Sequence, residues 1–350
     1  PADSASAKHY LRTFNSKQTI FRSVQFQGND YELIISHQKM IEVEQLSKSY
    51  GPREAIRNLS FQIEKGEVVG FLGPNGAGKS TTMNILSCIM PASSGSVKIC
   101  GFDVFEQSLE TRKLIGYLPE TPPLYSDMVA SDYLTFAARL RNIPSRKARS
   151  AVEQVIEKCS LKDVSNRVIG RLSKGYQQRV GIAQALIHDP DILILDEPTI
   201  GLDPIQIIEI RKLIQDLASS HTIILSSHIL PEITQICKRV IIISEGEIVA
   251  VDSLESLTTR LRNGERLILK VRRSDGETIE KLRALDQTNA VVEQETGQFT
   301  IDCEPNANIQ DAIAKLALDN NWGIVELKPA SMTLEDIFLK LTLEENEVKP

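Results

Sequence analysis

The sequence predicts an α/β domain built on a buried sheet, followed by a small α+β domain. Three observations lead there. From residue 41 onward, short β-branched runs alternate with longer helical stretches, the rhythm of an α/β domain. A glycine-rich stretch ending in Lys79-Ser80 lies between one such strand and the helix after it. Beyond about residue 257 the order becomes β-α-β-β-α-β, a split βαβ pattern.

A chain of 350 residues with 41% apolar and 25% charged residues has the length for two domains and the composition of a globular protein. A net charge of −6 and a pI near 5.6 argue against gripping a phosphate backbone, which needs a basic face. Nucleic acid is therefore not an expected partner. The five cysteines (Cys88, Cys100, Cys159, Cys237, Cys303) form no C-x-x-C pair, so neither a disulfide frame nor a zinc site is indicated, and reduced cytosolic thiols are expected. The longest apolar runs, 192–195 and 240–243, are strand-length. Crossing a bilayer takes roughly 20 residues, so no span is expected.

The elements follow in order. Residues 1–39 carry Lys8, Arg12, Lys17, Arg22 and Lys39 against Asp3, Asp30 and Glu32, with frequent Ser and Thr, but lack the apolar core of a secretory signal. A transit peptide, a small hairpin around Gly28-Asn29-Asp30, and an upstream extension or misplaced start all fit. The last is favoured, because organised sequence begins at Met40. The first domain is expected over 40–257, with strands at 41–43, 68–72, 192–195, 222–225 and 240–243 and a helix over 81–90. Strand signals stop between Pro122 and Ser173, and apolar residues at helical spacing predict helices over 131–141 and 146–159. This is a helical insert, about 122–172. The second domain, 258–350, is expected to hold strand 267–271, helix 278–285, strands 290–293 and 298–301, helix 309–318 and strand 323–327. A last helix, 334–341, has Thr333 as its N-cap and Asp336 three residues on. Trp322 is expected to be a packing residue.

The strongest chemical signal is Gly73-Pro74-Asn75-Gly76-Ala77-Gly78-Lys79-Ser80, a G-x-x-x-x-G-K-[ST] loop with Thr81 next on the helix. Glycines let the backbone turn tightly and present N–H donors to phosphate oxygens, and the helix adds its positive end. Lys79 is expected to neutralise the β- and γ-phosphates of ATP, with the Ser80 hydroxyl on Mg²⁺. Further on, the apolar run 192–195 ends in Asp196-Glu197, a buried strand delivering two carboxylates where open α/β sheets bind ligands. Asp196 is expected to hold the metal, mostly through water. Glu197 is expected to take a proton from attacking water.

Leu172-Ser173-Lys174-Gly175-Tyr176-Gln177-Gln178-Arg179, just before that strand, resembles the signature peptide of ABC ATPases. Glu197-Pro198-Thr199-Ile200-Gly201-Leu202-Asp203-Pro204 is similar to the family's catalytic glutamate and D-loop, and Ser226-Ser227-His228 to its histidine switch. Tyr50 falls where the family stacks an aromatic ring on adenine, although beside Gly51-Pro52 it also reads as a turn residue. The resemblance covers about residues 41–257 and implies a P-loop NTPase core of ABC ATPase type with a helical subdomain. It further implies that two ATPs are sandwiched between this chain and a second copy or a paralogous subunit. Ser173 and Gly175 of one subunit would meet the γ-phosphate on the other subunit's Gly73 loop, and His228 would hydrogen-bond that phosphate.

Two motifs depart from the commonest family pattern. Glu120, in Gly116-Tyr117-Leu118-Pro119-Glu120, stands where glutamine is usual, and Lys174 and Tyr176 stand where Gly and Gln are usual. A carboxylate at 120 can still offer oxygen to Mg²⁺, but adds negative charge near the γ-phosphate. These variants, and more loosely the tail at 331–341, are similar to drug-resistance and gliding-type exporter ATPases. The implied role is the ATPase subunit of an exporter on the inner face of the cell membrane, or of an organelle if the N-terminal segment is a transit peptide. It would dock on a separate transmembrane permease through the helical insert and Pro122-Pro123-Leu124-Tyr125. The rival from another class is a soluble ABC ATPase acting on nucleic acid or ribosomes, which would carry long coiled coils or two cassettes. A module that no longer hydrolyses ATP is a second rival, opposed by Lys79, Asp196, Glu197 and His228 together. The second domain could regulate, dimerise or brace.

Overall fold

Ile192, Leu193, Ile194 and Leu195 put an apolar side chain on both faces of their strand, so that strand has to be covered on both sides. The computed structural model, which describes residues 39–253, 256, 265–304 and 309–330, shows how. Strands β1 (Lys39–Tyr50) and β2 (Arg53–Glu64) form a hairpin, and β3 (Val68–Leu72) leads to helix α1 (Lys79–Leu86). Strands β4 (Ser94–Ile99) and β5 (Phe102–Asp103) precede α2 (Ser108–Leu114) and β6 (Ile115–Leu118). Helices α3 (Ala130–Leu140), α4 (Ser145–Lys158) and α5 (Lys174–Leu186) come next. Then β7 (Ile192–Leu195), α6 (Pro204–Leu217), β8 (Thr222–Ser227), the short α7 (Leu230–Thr234), β9 (Arg239–Ser244) and β10 (Glu247–Ser253) complete this part.

The central sheet has six strands in the order β10-β9-β3-β8-β7-β6, parallel except for β10 on its edge. Alternate side chains feed two cores. Leu193, Leu195, Ile223 and Leu225 pack with residues of α3, α4, α5 and α6 such as Leu134, Val155, Val180 and Ile214. Ile192, Ile194, Ile224 and Ile241 pack on the other face with α1 and the antiparallel sheet β2-β1-β4-β5, through Ile41, Leu59, Met83 and Val97. Between Pro122 and Ser173 the chain forms helices joined by turns and loops, with one isolated bridge, Val129 to Val168, and no strand.

A third sheet is formed by β11 (Glu265–Val271), β12 (Thr288–Glu295), β13 (Gln298–Cys303) and β14 (Ile324–Ala330), in the order β12-β13-β11-β14. Every neighbouring pair is antiparallel. With α8 (Thr278–Arg283) and α9 (Gln310–Asp319) this gives the β-α-β-β-α-β order. Leu267, Leu269, Phe299, Ile301, Ile313 and the buried Trp322 form its own core.

The structure differs from the sequence reading mainly in the first sheet. Strands β6 and β10, on the two edges of the central sheet, were not expected, nor were β2, β4 and β5 of the first, where residues 41–43 belong to a 12-residue strand. Left-handed residues explain this: Gln45 at φ 47° and Asn58 at φ 48° sit at register shifts of the β1–β2 ladder. Such bulges break the two-residue period by which a strand is read. Helix α1 stops at Leu86, short of residue 90, because Cys88 turns left-handed at φ 58°. Residues 1–38 and the helix expected over 334–341 lie outside the described residues.

Candidate functional site

Parallel strands deliver their C-terminal ends to one edge, and the ladder register says which residues meet there. Leu72 pairs with Ser227, Leu195 with Leu225 and Leu118 with Leu195. Asp196 is therefore level with Ser226, and Gly73 with His228 two residues further on, although 155 positions in the numbering separate Gly73 from His228.

The glycine-rich loop leaves β3 and enters α1 through Gly78, whose φ of 108° suits glycine alone and where a Cβ would lie 2.7 Å from the Ala55 carbonyl. The loop is tied down at its base: the Gly73 N–H donates to Ser227 O (3.4 Å), and Ala77 O accepts from Gly246 N (3.0 Å). Pro74, Asn75 and Gly76 are exposed, Ala77 is buried, and Ser80 and Thr81 are half-buried on the first turn of α1. Lys79 is 5% exposed. Its Nζ donates to Gly73 O (2.8 Å) and Pro74 O (3.2 Å) and lies 3.3 Å from Glu197 Oε1.

The two carboxylates are buried as well, Asp196 at 2% and Glu197 at 5% exposure. Ser226 binds them together, donating to Asp196 Oδ1 at 2.5 Å and accepting the Glu197 N–H at 2.9 Å. Ser80 Oγ donates to the same Asp196 oxygen at 3.3 Å. His228 Nδ1 stands 2.9 Å from Glu197 Oε2. An ionised carboxylate only accepts, so Nδ1 carries the proton in that bond, which makes Nε2 of the neutral ring an acceptor. Glu197 is thus held on one oxygen by Lys79 and on the other by His228.

Burial raises the Asp196 carboxyl above its ordinary range and outweighs the lowering hydrogen bonds from Ser226 and Ser80; Glu197 and Glu120 push it up further. A carboxyl whose folded value exceeds its unfolded 3.8 supports the fold most below pH 3.8 and loses that support as pH rises through the folded value. At pH 7 the desolvated charge is a cost, so Asp196→Asn is expected to melt higher than the parent when scanned without nucleotide or metal. The gap should close as pH falls below the folded value. Hydrolysis by this variant is expected to drop, the stability gained being function lost.

Glu197 has φ 47°, a left-handed backbone that costs a non-glycine residue. Its carbonyl accepts Ile200 N (3.1 Å), and Thr199 O accepts Leu202 N (3.2 Å), so residues 197–202 form successive tight turns. Thr199 also donates its hydroxyl to Glu232 Oε2. Asp203 then caps α6 by accepting Gln206 N (2.9 Å).

Not every expected residue joins this cluster. Tyr50 stands at the end of β1, 46% exposed, with its hydroxyl 3.0 Å from Met90 Sδ and the Lys48 ammonium 5.5 Å from its ring. Ser173 is the exposed N-cap of α5, accepting Tyr176 N at 3.4 Å, while Gly175 is buried beside Gln206 in a separate cleft of about 260 Å³. Among the described residues neither bonds to the glycine-rich loop. Of the three departing residues, Glu120 and Lys174 line one cleft of about 360 Å³ with Gln177, Gln178 and Ile200, and Tyr176 lines the cleft beside Gly175. Sequence reasoning gave no role to Ser226 and did not find Glu232. Ser226 carried a signal, a hydroxyl at the last turn of an all-buried strand level with Asp196, whereas Glu232 carried none.

A metal is implied here, and the donors fit one: a hydroxyl and a carboxylate on one oxygen-rich edge suit a hard cation such as Mg²⁺. Lys79, loop N–H groups and the start of α1 suit an anion. Together they can hold a metal-bound polyphosphate beside a carboxylate base.

Residues 56–200 match the family model described as "ABC transporter". The chain is 34% identical over 305 residues to the bacitracin transport ATP-binding protein BcrA of Bacillus licheniformis, covering 86% of this chain and 97% of that one. It is 30% identical over 305 residues to the linearmycin resistance ATP-binding protein LnrL of Bacillus subtilis (strain 168), covering 87% and 98%. Among solved structures, the dimeric post-hydrolysis state of the ATP-binding cassette MJ0796 bound to ADP and Pi is similar at 26% identity and a TM-score of 0.57, over 61% of this chain and 99% of that one.

Proposed function

This chain belongs to the family of ABC transporter ATP-binding proteins, and from that premise we propose that it powers an exporter whose membrane-spanning part is a separate protein. It is an ATPase of P-loop ABC type, an ATP-binding subunit of a transporter. Among the described residues no helix is long and apolar enough to cross a membrane, and a permease on another chain accords with that. Relatives matched over nearly their whole length and named for bacitracin transport and linearmycin resistance support an export role.

The observation that carries the hydrolytic mechanism is Glu197 lying between Lys79 and His228. A γ-phosphate contacting Lys79 would sit beside the group that accepts the proton of the attacking water, so phosphate binding and base placement are one event. The glycine-rich loop, Gly73 to Ser80 with Thr81, would cradle the phosphates and Tyr50 would stack on the adenine. Ser80 and Asp196, with Glu120 beyond, would hold Mg²⁺, which when bound offsets phosphate charge. His228 fixes the Glu197 carboxylate through Nδ1 and has Nε2 left to meet the γ-phosphate.

Ser173 is exposed at the N-terminus of α5, free to address a phosphate on a second subunit with the positive end of that helix. Two copies, or one copy and a paralogue, would therefore close around two ATPs and reopen after hydrolysis, a ligand-biased two-state change that the permease converts to transport. Purification of the native complex in mild detergent is expected to bring down a multi-span membrane protein in fixed ratio. A soluble assembly with no such protein would overturn the transport reading and leave the ATPase.

A further inference from the structure

We propose that Glu232 is a positioning residue for hydrolysis: by accepting the Thr199 hydroxyl it fixes the turn that follows Glu197, and with it the Glu197 carboxylate. The inference rests on the reading of Glu197 as the base.

Glu232 is 6% exposed, and among the described residues no cation pairs with it. A buried carboxylate held by a hydroxyl is costly to keep, so its place calls for a reason. The bond to Thr199 Oγ1 supplies one. Glu197 sits in a left-handed conformation, and such strain persists only where the surroundings over-determine it. Two anchors do so from outside the turn. Ser226 takes the Glu197 N–H at 2.9 Å, and Glu232 takes the Thr199 side chain two residues later. Both anchors come from the segment that also carries His228.

That segment is itself fixed. Ile233 of α7 packs so closely on β3 that a Cβ at Gly70 would lie 2.4 Å from its Cγ2. Just past α7, Gln235 O accepts Gln215 Nε2 of α6 at 2.8 Å, and the Gln235 side chain accepts from Arg211. Helix α7 is thereby pinned to the strand that feeds the phosphate loop and to the helix that follows Asp203. Through Thr199 it passes that position to the base.

The test measures steady-state ATP hydrolysis, binding of a fluorescent ATP analogue and thermal melting for Thr199→Val, Glu232→Ala, Glu232→Gln and the Thr199→Val/Glu232→Ala pair, with Glu197→Gln alongside. Thr199→Val and Glu232→Ala should each lower kcat about 10-fold through misplacement of the base, with KM for ATP changed less than about 2-fold. The pair should be no worse than either alone, since both remove one bond. Glu232→Gln, whose amide oxygen still accepts, should recover most of kcat. Normal kcat in Thr199→Val, or additive losses in the pair, would overturn the proposal, as would losses of kcat and binding that track the melting temperature. Should Glu232→Ala fail to fold, Thr199→Val and Glu232→Gln decide alone. A fully active Glu197→Gln would sink the base assignment, whereas an inactive Glu197→Gln beside normal Thr199→Val sinks positioning only.

Discussion

Glu197→Gln is expected to cut ATP turnover at least about 100-fold, the loss that follows removal of a general base, while ATP still binds. The amide keeps the carboxylate's shape: its oxygen can accept from Lys79 at the 3.3 Å position, and its NH2 can donate to His228 Nδ1 at the 2.9 Å position once the neutral ring carries its proton on Nε2 instead. The backbone anchors at Ser226 and Ile200 are unchanged, so the fold should hold. Binding without hydrolysis leaves two subunits clamped, and light scattering with ATP and Mg²⁺ should show a dimer that outlasts the parent's. Phosphate release at the parent's rate would remove Glu197 from its role.

Lys79→Met should be the larger disturbance, because it acts on affinity and on stability. Losing charge-assisted bonds to phosphate is worth roughly 1.5–3 kcal/mol, a weakening of ATP binding of about 10- to 100-fold. It also leaves Glu197 buried with His228 as its remaining side-chain partner. Breaking one side of a buried pair costs about 3 kcal/mol, roughly 6–12 °C in Tm for a domain of this size. Adding Glu197→Gln should restore most of the melting temperature and none of the binding, a coupling expected of neighbours in contact. If Lys79→Met melts with the parent, or if the second substitution recovers nothing, the pair does not hold the carboxylate in place.

The phosphate loop and the two carboxylates were legible in the sequence because each lies in one short stretch. Glycines, Lys79 and Ser80 sit side by side, and Asp196-Glu197 ends an unbroken apolar run. The β-α-β-β-α-β order of the last part was legible for a similar reason, with β11 and β13 burying every second residue. The first sheet was not, since the left-handed residues Gln45 and Asn58 interrupt that alternation. What joins the site across the sequence was hidden too: Ser226 linking the Asp196 carboxylate to the Glu197 N–H, and Glu232 reaching Thr199 from 33 positions away. Such pairings depend on strand register and on how closely α7 lies against Gly70, and neither can be read from residue order alone.

With both faces of the central sheet buried, the amides of β3, β7 and β8 have no route to solvent exchange short of opening a core layer. Asp196 and Glu197 inherit that protection from β7. His228 lies at the start of a segment whose helix has five residues, too short to be stable by itself. The site therefore joins a half held by the sheet itself to a half that keeps its shape only through the contacts of α7 with Gly70 and α6, and in the function proposed above His228 of that second half would reach for the γ-phosphate.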